Sequence, residues 1–150
     1  MQWASKKQAG FTIVELLIVI VVIAILAAIT IVAYAGIQTR ARDASRDSAA
    51  DTIMKALELY AADNSGQYPN VCAGGVNSGC DAALLSSPLT PTYIASIPSD
   101  PDSSKVLSYV VSSGFTGYGL YVRYEAKTVC KFLGGTNPQS GWWGSSVPAC

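Results

Sequence analysis

Apolar residues are concentrated in one long segment near the start of the chain, and polar residues are frequent after it. From Leu16 to Thr39 there are 24 residues without a charged side chain, beginning LLIVIVVIAILAAITIVAYAG. Because no polar stripe interrupts the run, it predicts a helix that is apolar on all sides. Such a helix rises about 36 Å, enough to cross a hydrocarbon layer of about 30 Å. We therefore predict a membrane-spanning phase for this segment.

The helical pattern continues beyond the apolar run. Residues 40–63 contain neither glycine nor proline, and apolar residues recur on one helical face at Ala49, Ile53 and Leu57. Asn-Ser-Gly at 64–66 is typical of a helix end, because glycine readily adopts the left-handed cap conformation. The pattern predicts one helix from about residue 11 to about residue 63, apolar in its first half and amphipathic in its second.

The rest of the chain predicts a small sheet. Residues 64–104 are rich in Gly, Ser, Pro, Asn and Asp, which indicates loops and turns, with a short helical turn near residues 82–85. Three runs that carry valine, the first two of them also tyrosine, predict strands at 106–112, 118–124 and 128–133. The predicted fold class is α+β: a long N-terminal spine helix packed against a small three-stranded antiparallel sheet with disulfide-tied loops.

Composition argues against several classes of function. Ten Lys and Arg balance ten Asp and Glu, whereas a nucleic-acid footprint needs a basic excess. The chain has no histidine, which excludes Ser-His-Asp and Cys-His nucleophile systems and removes the commonest zinc ligand. No carboxylate pair and no phosphate-binding glycine loop stands out in the sequence. We expect neither enzyme activity nor a cofactor.

The four cysteines all follow the apolar run, at Cys72, Cys80, Cys130 and Cys150. An even number in a short exported chain is typical of disulfides, and three pairings are possible. We favour Cys72–Cys80 and Cys130–Cys150, because each pair brackets a glycine-rich loop. Free thiols or a metal site are the alternatives, although the chain lacks both histidine and a Cys-x-x-Cys pair.

Glu15 is the sole charged residue between Lys7 and Arg40. A carboxylate in the hydrocarbon interior costs roughly 2.5–3.5 kcal/mol, so it indicates a function by default. The alternative is that Glu15 lies at the headgroup boundary, where the cost is small.

The string KKQAG-FTIVELLIVIVVIAILAA resembles the leader and N-terminal signature of type IV pilins and pseudopilins. In that family a prepilin peptidase cuts after the glycine that ends a short basic leader. The new N-terminal residue, usually Phe, is N-methylated, and a Glu stands at the fifth position. The resemblance implies that Gly10 ends the leader, that Phe11 becomes the methylated N-terminus and that Glu15 is the assembly glutamate. Lys6 and Lys7 match the basic leader.

The same resemblance implies a division of the chain. Residues 1–10 are a cleaved leader and residues 11–39 are the transmembrane and assembly half of the spine helix. Residues 40–150 are a globular head, with the second half of the spine, an αβ-loop, the sheet and a C-terminal disulfide loop. Glu15 is expected to pair with the Phe11 amine of a neighbouring subunit or of its own, which relieves the cost of burying either charge alone.

The implied function is that of a pilin, a structural subunit of a type IV pilus-like surface filament that serves adhesion, twitching motility or DNA uptake. The precursor would lie in the cytoplasmic membrane before it joins an extracellular filament. Implied partners are its own copies, minor pilins, prepilin peptidase, and an assembly platform with ATPases; nucleic acid is expected only at the level of the filament. Two alternatives stay open: a pseudopilin of a type II secretion or competence system, and a single-span membrane-anchored binding domain.

Two residue pairs outside the spine helix are candidate binding sites. Trp142 and Trp143 lie in a Gly/Ser loop as a candidate surface contact, although at least one of them packing beneath the loop is the plainer expectation. Asp100 and Asp102 offer oxygen ligands of the kind that calcium prefers, but turn chemistry explains the Asp-Pro-Asp-Ser run adequately. We therefore predict no metal site.

Three arginines follow the apolar run, and aspartates are interleaved with them. This pattern favours ion pairs within or between subunits over binding of lipid headgroups or DNA. The arginines are Arg40, Arg42 and Arg46.

Overall fold

The computed structural model describes residues 10–150, so the leader lysines Lys6 and Lys7 lie outside the described residues. The chain forms two compact units, of which the first ends at Gln38 and the second is Thr39–Cys150. Helix α1, Ile13–Asp63, starts in the first unit and ends in the second. These bounds confirm the prediction of one helix over about residues 11–63.

In the first unit, the large apolar side chains of α1 are 46% to 85% exposed. Among the described residues, α1 is the one helix long and apolar enough to cross a membrane, judged by length and composition, with a mean hydropathy of 3.4 in its most apolar window. A helix that is apolar on all sides and unburied in its own chain needs an apolar surrounding.

In the second unit, called the head below, α1 is amphipathic. Ile53 and Leu57 are fully buried on its inner face. The helix ends in a left-handed turn at Ser65 (φ 57°) and Gly66 (φ 78°), where the Gly66 N–H donates to the Ala61 carbonyl at 2.7 Å. This bond, five residues back along the chain, is the Schellman arrangement, which satisfies a carbonyl left free at the helix end.

A four-stranded antiparallel sheet in the order β1-β2-β3-β4 completes the head. The strands are Cys80–Asp81, Ser108–Val111, Gly117–Val122 and Cys130–Gly135. The α+β class is confirmed, but the sheet has four strands rather than three. The sequence did not predict β1 because two residues are too few to show an alternating pattern.

Both faces of the sheet are covered. Successive strand residues point to opposite faces, so Tyr109, Val111 and Leu120 belong to the core cluster that also contains Ile53 and Leu57 of α1. A 3₁₀ helix, Ala82–Leu85, and helix α2, Ser86–Leu89, contribute further core residues. Val110, on the other face, is also buried, beneath the C-terminal loop.

Two disulfides tie the head loops. Cys72 is joined to Cys80 and Cys130 to Cys150, and no described cysteine is free. The second disulfide places the C-terminal segment beside β4, where the Lys131 N–H donates to the Pro148 carbonyl at 3.0 Å.

Candidate processing and assembly site

Glu15 and Thr12 together form the start of α1. The backbone N–H and the hydroxyl of Thr12 each donate to Glu15 Oε2 at 2.8 Å, and the Glu15 N–H donates to Thr12 Oγ1 at 3.3 Å. This reciprocal arrangement is a capping box, which satisfies backbone donors that the first helical turn leaves free. Glu15 therefore has an intramolecular partner and a local role in starting the helix.

Sequence analysis missed this role of Thr12. The signal was present, because Thr-x-x-Glu directly before an apolar run is the sequence signature of a capping box. A negative side chain is also favoured in the first helical turn by the helix dipole. The capping box and the expected pairing with the Phe11 amine compete for the same carboxylate.

Gly10 and Phe11 precede the helix and are exposed. Phe11 is 82% exposed, and a methyl group added at Gly10 would meet no atom within 4 Å. The packing of the described chain therefore does not require glycine at this position. The bond between residues 10 and 11 therefore lies in an exposed, non-helical part of the described chain, of the kind where proteolysis concentrates.

A buried arginine holds the head loops to α1. Arg46 is 1% exposed, and its guanidinium contacts three carboxylates. It donates to Asp100 through two nitrogens at 2.7 and 2.9 Å, to Asp43 at 2.8 Å and to Glu125 at 2.8 Å. The planar fork of arginine suits such bidentate pairing. Asp100 lies in the loop before β2 and Glu125 follows β3, so one side chain fastens both segments to the helix.

The Arg46 cluster comprises Arg46 and the carboxylates of Asp43, Asp100 and Glu125, and the pKa values of Asp43 and Glu125 are lowered in it. Hydrogen bonding by Arg42, at 2.5 to 3.1 Å, and by Arg46 lowers the pKa of Glu125 to about 2. Burial opposes ionisation of Asp43, but backbone N–H donors of Glu125 and Ala126 and the Arg46 fork outweigh burial and lower the Asp43 pKa. The pKa of Arg46 is raised, chiefly by its hydrogen bonds to Asp100.

This geometry refines the expectations for the charged residues. Arg42 and Arg46 form ion pairs within the chain, but only Asp43 among their partners is interleaved with them in the sequence. Asp100 is engaged by Arg46 and also accepts from the Asp102 N–H at 2.8 Å, which is turn chemistry. Among residues 10–150, no cluster of three or more His, Cys, Asp or Glu is arranged to hold a metal ion.

Asp102 forms further hydrogen bonds within the loop before β2 that also contains Asp100. It accepts from the hydroxyl and the N–H of Ser104 at 2.8 and 3.0 Å, and from Lys105 at 3.2 Å. These bonds, the Ser104 hydroxyl first, lower the Asp102 pKa to about 2.

The two tryptophans have different surroundings. Trp142 is 7% exposed, and its indole N–H donates to Asn77 Oδ1 at 3.2 Å. It is therefore the tryptophan that packs beneath the loop, as the plainer expectation had it, and not a surface contact. It packs against the outer face of the sheet, beside Gly119, where there is no side chain in the way. Trp143 is partly exposed and stacks on Tyr121 with ring centres 5.4 Å apart.

Lys131 fixes the loop that carries both tryptophans. It is 3% exposed, and its ammonium donates to the carbonyls of Ser140, Trp142 and Gly144 at 2.5, 3.1 and 3.2 Å. A buried ammonium with three acceptors is satisfied by hydrogen bonds, as buried charges must be. The C-terminal loop is thus an ordered cover of the sheet.

Three features define a class of protein, the membrane-anchored subunit with a single N-terminal helix. They are a long helix whose first half is apolar and exposed, a capping box at the start of that helix, and a small α+β head with two disulfides. The family model of the prokaryotic N-terminal methylation motif matches residues 5–31. The chain is 30% identical over 106 residues to the type II secretion system core protein G of Escherichia coli (strain K12), covering 65% of this chain and 69% of that protein. The chain belongs to the type IV pilin-like family of pilins and pseudopilins. No solved structure matches it.

Membership confirms what the resemblance implied at the level of the family. Its members are structural subunits and not enzymes, they polymerise with their own kind, and prepilin peptidase processes them. The methylation motif and the apolar helix identify a membrane-anchored precursor that is later assembled into a filament. The matched residues include Gly10, Phe11 and Glu15.

Proposed function

We propose that this chain is the filament-forming subunit of a secretion-type pseudopilus, cut between Gly10 and Phe11 and N-methylated at Phe11. The observation that carries the proposal is the apolar helix, which is exposed along the first unit, follows an exposed glycine and has Glu15 in the capping box of its first turn. The similarity to a type II secretion protein supports the secretion branch, because it extends over 106 residues rather than over the motif alone.

We assign a separate role to each of three successive segments of the chain. Residues 1–10 are the leader, residues 11–39 anchor the precursor and later form the filament core, and residues 40–150 are the head. Apolar side chains that lie in lipid before assembly pack against the helices of neighbouring copies after it. Apolar groups gain little in passing from lipid to protein, so small-scale packing and polar pairing decide the register of such helices.

Glu15 is the polar group that pairs when the helix passes from lipid into the filament core. In the uncut chain its carboxylate accepts two hydrogen bonds from Thr12, which reduces the cost of placing it at the membrane edge. Cleavage creates a cation at the Phe11 amine, four residues away in sequence. As water is excluded from the filament core, the attraction between this amine and a Glu15 carboxylate strengthens. Since each charge also loses its hydration, the pair sets register more than it adds stability.

The proposed partners are prepilin peptidase, minor pilins, and an assembly platform with its ATPases. A surface pilin serving adhesion, twitching motility or DNA uptake is the second candidate. It is favoured by the C-terminal disulfide loop, which resembles the variable loop of many pilins and presents the partly exposed Trp143.

The test is intact-mass and N-terminal analysis of the protein from producing cells, in the membrane fraction and in sheared filaments. We expect a chain that starts at N-methylated Phe11 and is four hydrogen atoms lighter than its reduced form, because it contains two disulfides. A chain that starts at Met1 and stays in the membrane fraction would contradict the proposal and leave a membrane-anchored binding domain. Filaments in the sheared surface fraction at wild-type expression would favour the surface pilin, whereas loss of secreted proteins on deletion would favour the pseudopilus.

Glu15→Gln tests the assembly role separately, because glutamine keeps an oxygen that Thr12 can donate to and removes the charge. In cells that overexpress the chain, we expect normal membrane insertion of this variant and at least a tenfold loss of filaments relative to the wild type. Thr12→Ser, which keeps the capping hydroxyl, is the matched control and should assemble normally. Normal filaments from Glu15→Gln would refute the pairing with the Phe11 amine.

A further inference from the structure

A cleft of about 490 Å³ lies at the C-terminal end of α1. Small-molecule sites usually enclose about 300–1,000 Å³, so this cleft has the size of a ligand site. It lies wholly within the head and is lined by the last turn of α1, the segment that follows α1 and the turn between β2 and β3. Its aromatic lining residues are Tyr60, Tyr68 and Phe115. We call it the α1-end cleft.

The polar groups of this cleft offer both hydrogen-bond donors and acceptors. Ser65, Gln67 and Asn70 are exposed, and their side chains bond to no other described residue. Each amide presents an oxygen and an NH₂ group, and a hydroxyl both donates and accepts. Asp63 accepts from the Tyr93 hydroxyl at 3.1 Å through Oδ2, and no described group donates to its Oδ1. A ligand whose own groups both donate and accept uses this set most fully.

The charge of the cleft argues against several classes of ligand. Asp63 is the one charged residue among the described residues that line it, and the C-terminal end of a helix adds a partial negative charge. The last turn of α1 contains no basic residue. Phosphates, nucleic acids and acidic sugars are therefore repelled. An organic cation would be attracted, but it would leave the NH₂ donors of Gln67 and Asn70 unused.

Phe115 is held in the cleft by an uncommon backbone conformation. Its φ is 61°, in the left-handed region that bulky residues rarely adopt. Its N–H donates to the Ser112 carbonyl at 3.0 Å, and its own carbonyl accepts from the Tyr68 N–H at 2.7 Å. The neighbouring Pro69 carbonyl accepts from the buried Tyr109 hydroxyl at 2.8 Å. Such enforced conformations cluster at binding sites, and these bonds mean that the cleft is preformed.

We propose that the α1-end cleft binds an uncharged sugar residue of a glycan. Sugar hydroxyls donate and accept at once, which matches the amides of Gln67 and Asn70 and the Oδ1 of Asp63. The aliphatic C–H face of a sugar ring packs on aromatic rings, and the partly exposed Tyr60 and Phe115 supply them. The inference goes beyond the proposed function and does not depend on how the chain assembles.

The test is saturation-transfer NMR on the full-length chain in a polyoxyethylene detergent, because a detergent with a sugar headgroup would compete for the cleft. The probes are uncharged oligosaccharides of glucose, mannose, galactose and N-acetylglucosamine. Tetramethylammonium and an uncharged peptide of glycine and serine with blocked ends represent the competing ligand classes. We expect a saturable signal from at least one oligosaccharide and from neither of the other two probes.

Variants of the lining residues locate the site. Gln67→Ala and Asn70→Ala leave the internal hydrogen bonds of the head intact, and together they should weaken sugar binding about tenfold. Phe115→Asn removes the ring but keeps a residue that tolerates the left-handed conformation, and a similar loss is expected. Phe115→Tyr, which keeps the ring, should bind like the wild type. So should the matched control Asn137→Ala, since Asn137 is an exposed asparagine of the head outside the cleft.

Asp63→Asn separates a sugar from a cation, because asparagine keeps an acceptor oxygen and removes the charge. The sugar should still bind this variant. Binding of tetramethylammonium or the peptide without any oligosaccharide would overturn the proposal, and so would the absence of any saturable signal. A sugar signal that the Gln67→Ala, Asn70→Ala double variant leaves unchanged would also overturn it. None of these results bears on cleavage after Gly10 or on filament formation, so the proposed function is tested separately.

Discussion

Replacing Arg46 by methionine tests whether the head is held together by this one buried cation. Methionine keeps an unbranched apolar stem of similar path but removes every hydrogen bond to Asp43, Asp100 and Glu125. Three carboxylates, whose side chains are 1%, 8% and 14% exposed, then lose their shared cation. Their mutual repulsion and lost solvation oppose folding.

The expected loss follows from this burial. Removing one partner of a buried ion pair costs about 3–5 kcal/mol, because an uncompensated charge is left behind. For a unit of about 110 residues, each kcal/mol lowers Tm by about 4 °C, so the head should melt about 12–20 °C lower. Arg46→Lys restores the charge without the planar fork, and its Tm should lie between those of Arg46→Met and the wild type.

The assay is thermal unfolding of the full-length chain in mild detergent, followed by near-ultraviolet circular dichroism of the buried aromatic residues. Arg42→Met is the matched control, because the Arg42 side chain is 35% exposed and, within residues 10–150, forms an ion pair with Glu125 alone. Ion pairs exposed to this extent contribute about 0–1 kcal/mol, so its Tm should fall by no more than about 4 °C. Equal shifts for the two variants, or a shift below about 4 °C for Arg46→Met, would refute the argument.

Two further predictions concern pH and packing. The pKa of Glu125 is about 2 in the folded chain, against an ordinary value of 4.5, and that of Asp43 is also lowered, so the unfolded chain binds more protons as pH falls. The stability that these two ionised carboxylates contribute should therefore be fully present above about pH 5 and be lost progressively between about pH 4.5 and 2. Measuring Tm as a function of pH tests this. A Tm that does not change across that range would contradict it. At Gly119 a methyl group would lie 2.8 Å from Trp142 and 2.9 Å from Trp143, so Gly119→Ala should cost about 1–3 kcal/mol in denaturant unfolding. Gly141→Ala, where a methyl group meets no atom within 4 Å, should cost less than about 1 kcal/mol, and equal losses would refute the packing argument.

The elements that sequence reasoning predicted are those whose signals are local. The apolar run, the amphipathic continuation and the stop near residue 64 predicted α1 to within two residues of each end. The three longer strands were predicted within about two residues, and valine and tyrosine recur along the first two of them, β2 and β3. The capping box of Thr12 and Glu15 is equally local, because its signal is the Thr-x-x-Glu spacing directly before the apolar run.

The Arg46 cluster is a different case, because its members are far apart in the sequence. Asp100 and Glu125 lie 54 and 79 residues after Arg46, and nothing in the local pattern pairs them. Only Asp43, one helical turn away, was predictable as a partner. The burial of Trp142 likewise depends on Gly119, 23 positions earlier, which leaves room on the outer face of the sheet. Long-range packing, not residue type, decides such positions.

One edge strand of the sheet is short, and the other is covered at Lys131. At one side, β1 has only two residues. At the other, the N–H and carbonyl of Lys131 that face away from β3 bond to Pro148 and Cys150 at 3.0 Å each, and the disulfide to Cys150 keeps that segment in place. Unprotected edges are where chains add strands to one another and aggregate, a hazard that grows when many copies are held side by side. Heads crowded along a fibre therefore stay separate folding units, and their loops are free to diverge in sequence without joining one sheet to the next.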